Sequence, residues 1–348
     1  MREGKSMEQR EVCAEEQAVK EALAADTRFR FYRGMEIAVR PETRGISKEV
    51  FQIYRINGRF DLADAYILHA VYMLCHATPD MIMQWLKLER RHYPKKAVPN
   101  INPELLMKKV KILAHNGLLM LSDYITKDKR EVVEICTCSL FGHTYFKNVL
   151  DTPYLPYDED SFFHAEVECF KRMSAAAVTL AFASEDSCEK CGISGRILYG
   201  KRFNAEAFTY GYACMDFDGQ KRIYIVEPVY FHVNSDVMSE EESLERVEER
   251  LRKVEKLVAN IAKKEETAVI PIFCVENMGG LKQLTSIAKK RIGTDMYQHA
   301  LYTSENLISA FGGSLDNSFV SVQFSRAEKP ENRKVRVNLA GNAWREFL

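Results

Sequence analysis

Three short helices with strong end signals follow one another between residues 61 and 117, and this run constrains the fold more than any other part of the chain. Asp61 is a typical N-cap for the first helix, and residues 78–80 (Thr-Pro-Asp) place a cap, a proline and an acid at the start of the second. Residues 102–104 (Asn-Pro-Glu) repeat this signal, and Gly117 ends the third helix. The pattern predicts a compact three-helix module.

The third helix has two chemically different faces. Leu106, Val110 and Leu113 share one face at about 100° per residue. The opposite, largely basic face carries Glu104, Lys108, Lys111 and His115. This arrangement predicts a helix that is buried on one side and open to an acidic partner on the other.

A predicted β-hairpin follows the three helices. Residues 118–125 and 131–138 are apolar-rich and β-branched, and the polar residues 126–130 (Thr-Lys-Asp-Lys-Arg) separate them. Three helices and a basic-tipped hairpin form the pattern of a winged helix-turn-helix, which docks a helix in the major groove and a wing on the backbone.

This region has an excess of basic residues, although the chain as a whole is neutral. Lys and Arg number 49 and Asp and Glu also 49, whereas residues 86–130 contain eleven Lys and Arg against four acids. We therefore predict contact with DNA, although a winged helix that binds another protein remains open. The predicted DNA-binding residues are Lys108, Lys111 and His115 in the groove, Lys109 and Asn116 beside it, and Lys127, Lys129 and Arg130 in the wing.

The second half of the chain alternates strands and helices. A helix at 162–183 precedes three strands that begin at Gly195, Arg202 and Arg222, and Asp218-Gly219 joins the last two. A helix, a strand, a helix and a last strand at 297–304 then follow. This order predicts an α/β fold with a mixed central sheet. The predicted domains are an arm at 1–50, a winged helix at 51–150, the α/β domain at 151–325 and a tail at 326–348.

The combined pattern resembles the replication-relaxation family of plasmid and conjugative-element proteins, whose second domain is similar to a PD-(D/E)XK nuclease. The resemblance covers Gln52 to Ser304. It depends on the order of elements and on four local matches: the helix around His164 and the strands GKRFNAEAF, RIYIVEP and IPIFCVEN.

The resemblance implies a place for two catalytic acids. A nuclease of that fold holds Mg²⁺ with two carboxylates and orients the attacking water with a lysine. Glu206 and Glu227 occupy the acid positions, Val229 occupies the lysine position, and Asp216 is either an extra ligand or a turn residue. We therefore favour a catalytically degenerate domain used for binding, with a Mg²⁺-dependent nuclease as the alternative.

Cysteine pairs raise the question of a metal site. Cys188 and Cys191 are spaced as in a zinc knuckle, but a structural site needs four ligands and the chain has no second such pair at finger spacing. We predict a reduced pair in a surface loop, strand packing for Cys136 and Cys138, and no cofactor apart from Mg²⁺ if the nuclease interpretation holds.

The remaining expectations concern compartment and role. The longest apolar run, near Ala175 to Ala183, is shorter than the roughly 20 residues of a membrane span, and the charged start does not resemble a signal peptide. We expect a cytoplasmic DNA-binding protein of a mobile genetic element, acting in replication, transfer or transcriptional control. Its expected partners are double-stranded DNA and other replication or transfer proteins, with homodimerisation left open.

Overall fold

The computed structural model divides the chain into two compact units. The N-terminal unit comprises residues 31–176 and 193–195, and the C-terminal unit comprises residues 1–30, 177–192 and 196–348. The boundary therefore lies within a helix, later in the chain than the proline-containing segment at 151–161. The structure describes residues 17–18, 21–22, 37–39, 48–92, 98–125, 132–149, 166–231, 240–293, 295–310, 315 and 318–322.

Helices form most of the N-terminal unit. Their apolar faces meet in a core in which Ile67, Leu68 and Val71 of α2 and Val110 of α4 are fully buried. The elements are β1 (Ile37–Val39), α1 (Lys48–Ile56), α2 (Leu62–Leu74), β2 (His76–Ala77), α3 (Pro79–His92), α4 (Pro103–His115), β3 (Leu119–Ile125), β4 (Val132–Cys138), α5 (Leu140–Val149) and the first part of α6 (Glu166–Ala183).

The N-terminal unit also contains an antiparallel sheet with the strand order β1-β3-β4-β2. β3 and β4 form the predicted hairpin, from Leu119 opposite Cys138 to Ile125 opposite Val132. The two-residue strand β2 pairs with the other edge of β4, so that the chain entering α3 is tied to the hairpin. β1 and β2 were not predicted, because a strand of two or three residues has no readable periodicity.

The C-terminal unit is built on a five-stranded mixed sheet in the order β5-β6-β7-β8-β9. β6 and β7 are antiparallel, and their turn at Asp218 and Gly219 has φ values of 52° and 89°, as the Asp-Gly signal predicted. β7, β8 and β9 are parallel. The elements after α6 are β5 (Cys188–Tyr199), β6 (Ala205–Phe217), β7 (Gln220–Val229), α7 (Glu240–Glu265), β8 (Ala268–Val275), α8 (Met278–Ile287), α9 (Asp295–Gln298), β9 (Leu301–Thr303) and α10 (Glu305–Ala310).

Helices cover both faces of this sheet. Ile223 and Ile225 of β7 pack with Ile261 of α7 on one face. On the other face, the ring of Tyr224 lies 4.8 Å from that of Phe182, near the end of α6. The predicted α/β class with a mixed central sheet is therefore confirmed.

Three boundaries differ from the sequence predictions. The strand predicted from Gly195 begins at Cys188, and the strand predicted from Arg202 begins at Ala205 after a 3-10 turn at Lys201–Phe203. The last predicted strand is three residues long and follows the short helix α9. Within the part of the chain described, no helix has the length and apolarity needed to cross a bilayer.

Candidate nucleic-acid interface

Local signals fix both ends of α4, the predicted recognition helix. The Asn102 side chain accepts a hydrogen bond from the Leu105 amide at 2.7 Å, and Pro103 occupies the first turn, where its missing N–H costs nothing. At the other end Gly117 adopts φ 70°, and the Leu118 amide donates to the Leu113 carbonyl at 2.9 Å. The length of the helix is therefore set by its own sequence.

The two faces of α4 are separated as predicted. Leu106, Val110 and Leu113 are at most 1% exposed, whereas Lys108 and Lys111 are solvent-exposed. Neither lysine forms an ion pair or hydrogen bond with another described residue. Two cations that have no partner in the described part of the chain are available for an external anion.

The C-terminal end of α4 carries further polar groups on this surface. His115 is exposed in the last turn, and Asn116 is the half-buried C-cap residue whose amide donates to the Ile112 carbonyl at 3.0 Å. Ile112 is 36% exposed between the charged positions. We call Lys108, Lys111, Ile112 and His115 the α4 surface.

Lys109 does not belong to the α4 surface. Its ammonium donates to Asp61 at 2.7 Å and to Asp64 at 2.9 Å, and its side chain is only 14% exposed. The two acids form the capping box at the start of α2, so Lys109 joins α4 to α2. We therefore remove Lys109 from the set of DNA-binding candidates.

The ion pair changes the acidity of all three groups. Burial alone would lower the pKa of Lys109, but hydrogen bonds to Asp61 and Asp64 outweigh burial and raise it. Burial would likewise raise the pKa of Asp61, but Lys109 and the Asp64 amide bring it below its usual value. For Asp64 burial wins, and its pKa is raised despite Lys109. Lys109 thus stays charged and offsets the cost of a buried carboxylate.

A second basic residue of the predicted patch also has an internal role. Arg90 of α3 donates to the Pro99 carbonyl at 2.7 Å and to the Asn100 side chain at 3.3 Å. These bonds hold the segment that leads into α4. Some of the basic residues counted along the sequence therefore have partners inside the unit. Fewer of them can contact an external partner than the count implied.

The hairpin that the sequence predicts to be a wing is only partly described. The paired strands β3 and β4 are in place, while Lys127, Lys129 and Arg130 lie outside the described residues. The base of the hairpin is fixed by His76 of β2, whose Nδ1 lies 2.9 Å from the Thr137 hydroxyl of β4. Burial, together with the charge of Arg172, lowers the pKa of His76 to about 3, so its ring is neutral at physiological pH.

The structure does not bring the two candidate catalytic acids together. Ala205 and Ala207 pack into the cluster that contains Ile261 of α7, so Glu206 between them points to the other face of the sheet. Glu206 is exposed there and pairs with Arg196 at 2.8 Å. Glu227 instead faces α7, because its partner is Arg250 of that helix.

Glu227 is held in a buried, bidentate ion pair. Arg250 donates from Nε and Nη2 to the two carboxylate oxygens at 2.7 and 2.8 Å, and its guanidinium lies 5.4 Å from the centre of the Tyr210 ring. Val229, at the position where the resemblance predicts a lysine, is apolar and buried. Carboxylates on opposite faces of a sheet cannot share one metal ion, which removes the geometric basis for a Glu206–Glu227 site.

The other metal candidates have structural surroundings. Asp216 accepts a hydrogen bond from the Gly219 amide at 2.6 Å and is therefore a turn residue. Cys188 and Cys191 lie in β5 rather than in a surface loop, and Cys188 donates to Cys191, which raises the pKa of Cys188 and lowers that of Cys191. Among the described residues, no three His, Cys, Asp or Glu side chains are grouped to hold a metal ion.

Two features of this interface were not read from the sequence. The Asp61–Asp64 spacing signalled a helix start, but nothing local indicated that Lys109, 45 positions further on from Asp64, would pair with it. The β2–β4 connection was also missed.

Comparison of the chain with family models, curated proteins and solved structures found no match.

Proposed function

We propose that the N-terminal unit is a winged helix that binds duplex DNA through the α4 surface. The observation that carries the proposal is that Lys108 and Lys111 project from the apolar-backed helix α4 without a partner among the described residues. Lysines in this situation neutralise phosphates and release condensed counterions, which provides affinity independent of sequence. His115 at the end of α4 supplies a group that would contact base edges, and Asn116 lies beside it.

The order of elements supports this assignment. A helix, a two-residue strand, two helices and a hairpin follow in the order α2, β2, α3, α4, β3 and β4, and β2 completes a three-stranded arrangement with the hairpin. In a winged helix this arrangement places the last helix in the major groove and the hairpin beside it. We expect Lys127, Lys129 and Arg130 to contact the backbone from the hairpin tip.

The wider role that we propose is in replication, transfer or transcriptional control of a plasmid or conjugative element. This follows from the resemblance to the replication-relaxation family, in which an α/β unit accompanies the winged helix. The C-terminal unit would then serve assembly or further nucleic-acid contact as a PD-(D/E)XK-like domain without its catalytic site. The buried Glu227–Arg250 pair, which occupies the second acid, favours binding over cleavage.

The test is a fluorescence-anisotropy titration of a labelled 20-base-pair duplex with the full chain over a range of salt. The slope of log K against log salt counts the phosphates neutralised, at about 0.9 per phosphate. Replacing Lys108 and Lys111 with Glu should weaken binding at least tenfold and reduce the slope by about 2. The matched control is Lys256→Glu, an exposed lysine of α7 in the other unit, which should change neither value.

One observation favours a second candidate, a protein-binding adaptor. Val50, Ile53 and Ile56 of α1 are 37%, 54% and 80% exposed, and Leu140 at the start of α5 is 53% exposed. Phe51 connects these helices by packing edge-on against Phe141 at 5.6 Å. Exposed apolar side chains of this kind fit a protein partner. A duplex salt slope near zero, unaltered by the Lys108 and Lys111 replacements, would decide for the adaptor.

A further inference from the structure

We propose that the C-terminal unit carries a separate binding site for single-stranded nucleic acid, centred on Phe203. Phe203 lies in the 3-10 turn between β5 and β6, and 65% of its surface is exposed. A phenyl ring this exposed buries little apolar surface and therefore contributes little to folding. It does offer a flat face on which a base can stack, and stacking on aromatic side chains is the main sequence-tolerant contact to unpaired bases.

The turn that presents Phe203 is fixed by several contacts. Gly200 has φ 87°, its amide donates to Glu265, and the Phe203 amide donates to the Gly200 carbonyl at 2.9 Å. Arg202 and Phe203 both have positive φ, at 65° and 52°, which is rare for consecutive residues with side chains. Strained backbone that is held in place by its neighbours is a common property of binding sites.

One cation lies against the exposed ring, and three more lie in the same turn or beside it. The Lys190 ammonium lies 5.4 Å from the centre of the Phe203 ring, and the Lys264 stem packs beside Gly200, with its ammonium 5.4 Å from the centre of the Tyr199 ring. Lys201 and Arg202 flank Phe203 in the turn and are exposed. None of these four cations forms an ion pair within the described part of the chain.

Two acids of this region each have a partner. Glu189 pairs with Lys221 at 3.0 Å, and Glu265 accepts the Gly200 amide. Lys221 offsets Glu189, and the four cations outnumber the exposed acids Glu265 and Glu266, so the surface near Phe203 has a positive excess although the chain as a whole is neutral. We call Lys190, Lys201, Arg202, Phe203 and Lys264 the Phe203 surface.

The chemistry of the Phe203 surface selects the occupant. Cations that form no ion pair with a described residue match phosphates. An exposed aromatic face matches an unstacked base, whose rings are hidden inside a duplex. Both contacts are satisfied together by a single strand of DNA or RNA. This site would be independent of the α4 surface, which belongs to the other unit and is suited to a duplex.

The experiment measures binding of fluorescent oligo(dT)20 to the full chain by anisotropy, beside the duplex used above. Phe203→Ala should weaken oligo(dT) binding about tenfold, the loss of one stacked base, while duplex affinity is retained. Phe203→Trp should bind oligo(dT) about as tightly as the parent, because the larger ring also stacks. Lys190→Ala should reduce the oligo(dT) salt slope by about 0.7, the value for one phosphate on a single strand.

Matched variants separate this site from the duplex site. Ile56→Ala removes an exposed apolar side chain in the other unit and should leave oligo(dT) affinity unchanged. Replacing Lys108 and Lys111 with Glu should weaken duplex binding alone.

Three results would overturn the proposal. In the first, the full chain does not bind oligo(dT). In the second, Phe203→Ala binds oligo(dT) as tightly as the parent. In the third, oligo(dT) binding is lost when Lys108 and Lys111 are replaced and Phe203 is kept. If oligo(dT) does not bind, binding of anionic phosphatidylserine vesicles that depends on Phe203 would identify a membrane partner instead.

Discussion

Lys108 and Lys109 are neighbours in the chain, but Lys108 is exposed to solvent and Lys109 pairs with the buried carboxylate of Asp64. Lys109→Met keeps the aliphatic stem and removes the charge, which leaves Asp64, 1% exposed, without its cation. Losing one partner of a buried ion pair costs about 3–5 kcal/mol. The bond to Asp61, which is 51% exposed, adds only about 0.5 kcal/mol after screening.

We therefore expect Lys109→Met to lower the free energy of unfolding of the N-terminal unit by about 3 kcal/mol, the lower end of the range. The lower end applies because Lys109 itself is 14% exposed and Asp64, whose pKa is already raised, relieves part of the cost by taking up a proton. The measurement is urea denaturation followed by circular dichroism, with hydrogen exchange of the α2 and α4 amides to localise the loss.

Lys108→Met is the matched control, and its free energy of unfolding should stay within about 0.5 kcal/mol of the parent. Combining Lys109→Met with Asp64→Asn should recover most of the lost stability, because the buried charge is then absent. Equal stability of the Lys108 and Lys109 variants, or no recovery in the double variant, would refute the assignment of Lys109 as a structural residue.

Three further predictions concern buried groups. Arg250→Met leaves the Glu227 carboxylate without its bidentate partner and, since Arg250 is 35% exposed, should cost about 2 kcal/mol in urea denaturation. The pKa of His76 is lowered to about 3 in the folded protein, so only the unfolded chain takes up a proton on this residue as the pH falls below about 6.5. The free energy of unfolding should therefore fall by about 2 kcal/mol between pH 7 and 5, and His76→Gln should not show this part of the decrease. A Cβ on Gly142 would lie 2.1 Å from the Leu118 carbonyl oxygen, so Gly142→Ala should lower the melting temperature through about 1–3 kcal/mol of overpacking.

Each of these predictions has an outcome that contradicts it. Arg196→Met breaks the exposed pair with Glu206 and should be nearly neutral, so an equal loss from both arginine variants would argue against burial as the cause. A parallel pH dependence in the parent and in His76→Gln would assign the acid loss to other groups. Gly58→Ala is the control for Gly142, since a Cβ there meets nothing within 4 Å although φ is 67°, and the Gly142 change should cost more.

The ends of the elements were largely determined by the sequence itself. Asp61 and Asn102 cap α2 and α4, Gly117 ends α4, and Asp218 with Gly219 closes the β6–β7 hairpin, each as predicted. These signals act between residues at most a few positions apart, so the chemistry of one short segment is enough to specify them. The α/β class followed from the same local patterns.

The partners of the charged side chains were decided only by the tertiary structure. Lys108 and Lys109 have the same chemistry and adjacent positions, but packing α4 on α2 brings only Lys109 to Asp64. Glu206 and Glu227 likewise looked equivalent until the sheet placed them on opposite faces. An ion pair depends on a distance in space between residues far apart in the chain. Helical and strand periodicities repeat every few residues and carry no information about that distance.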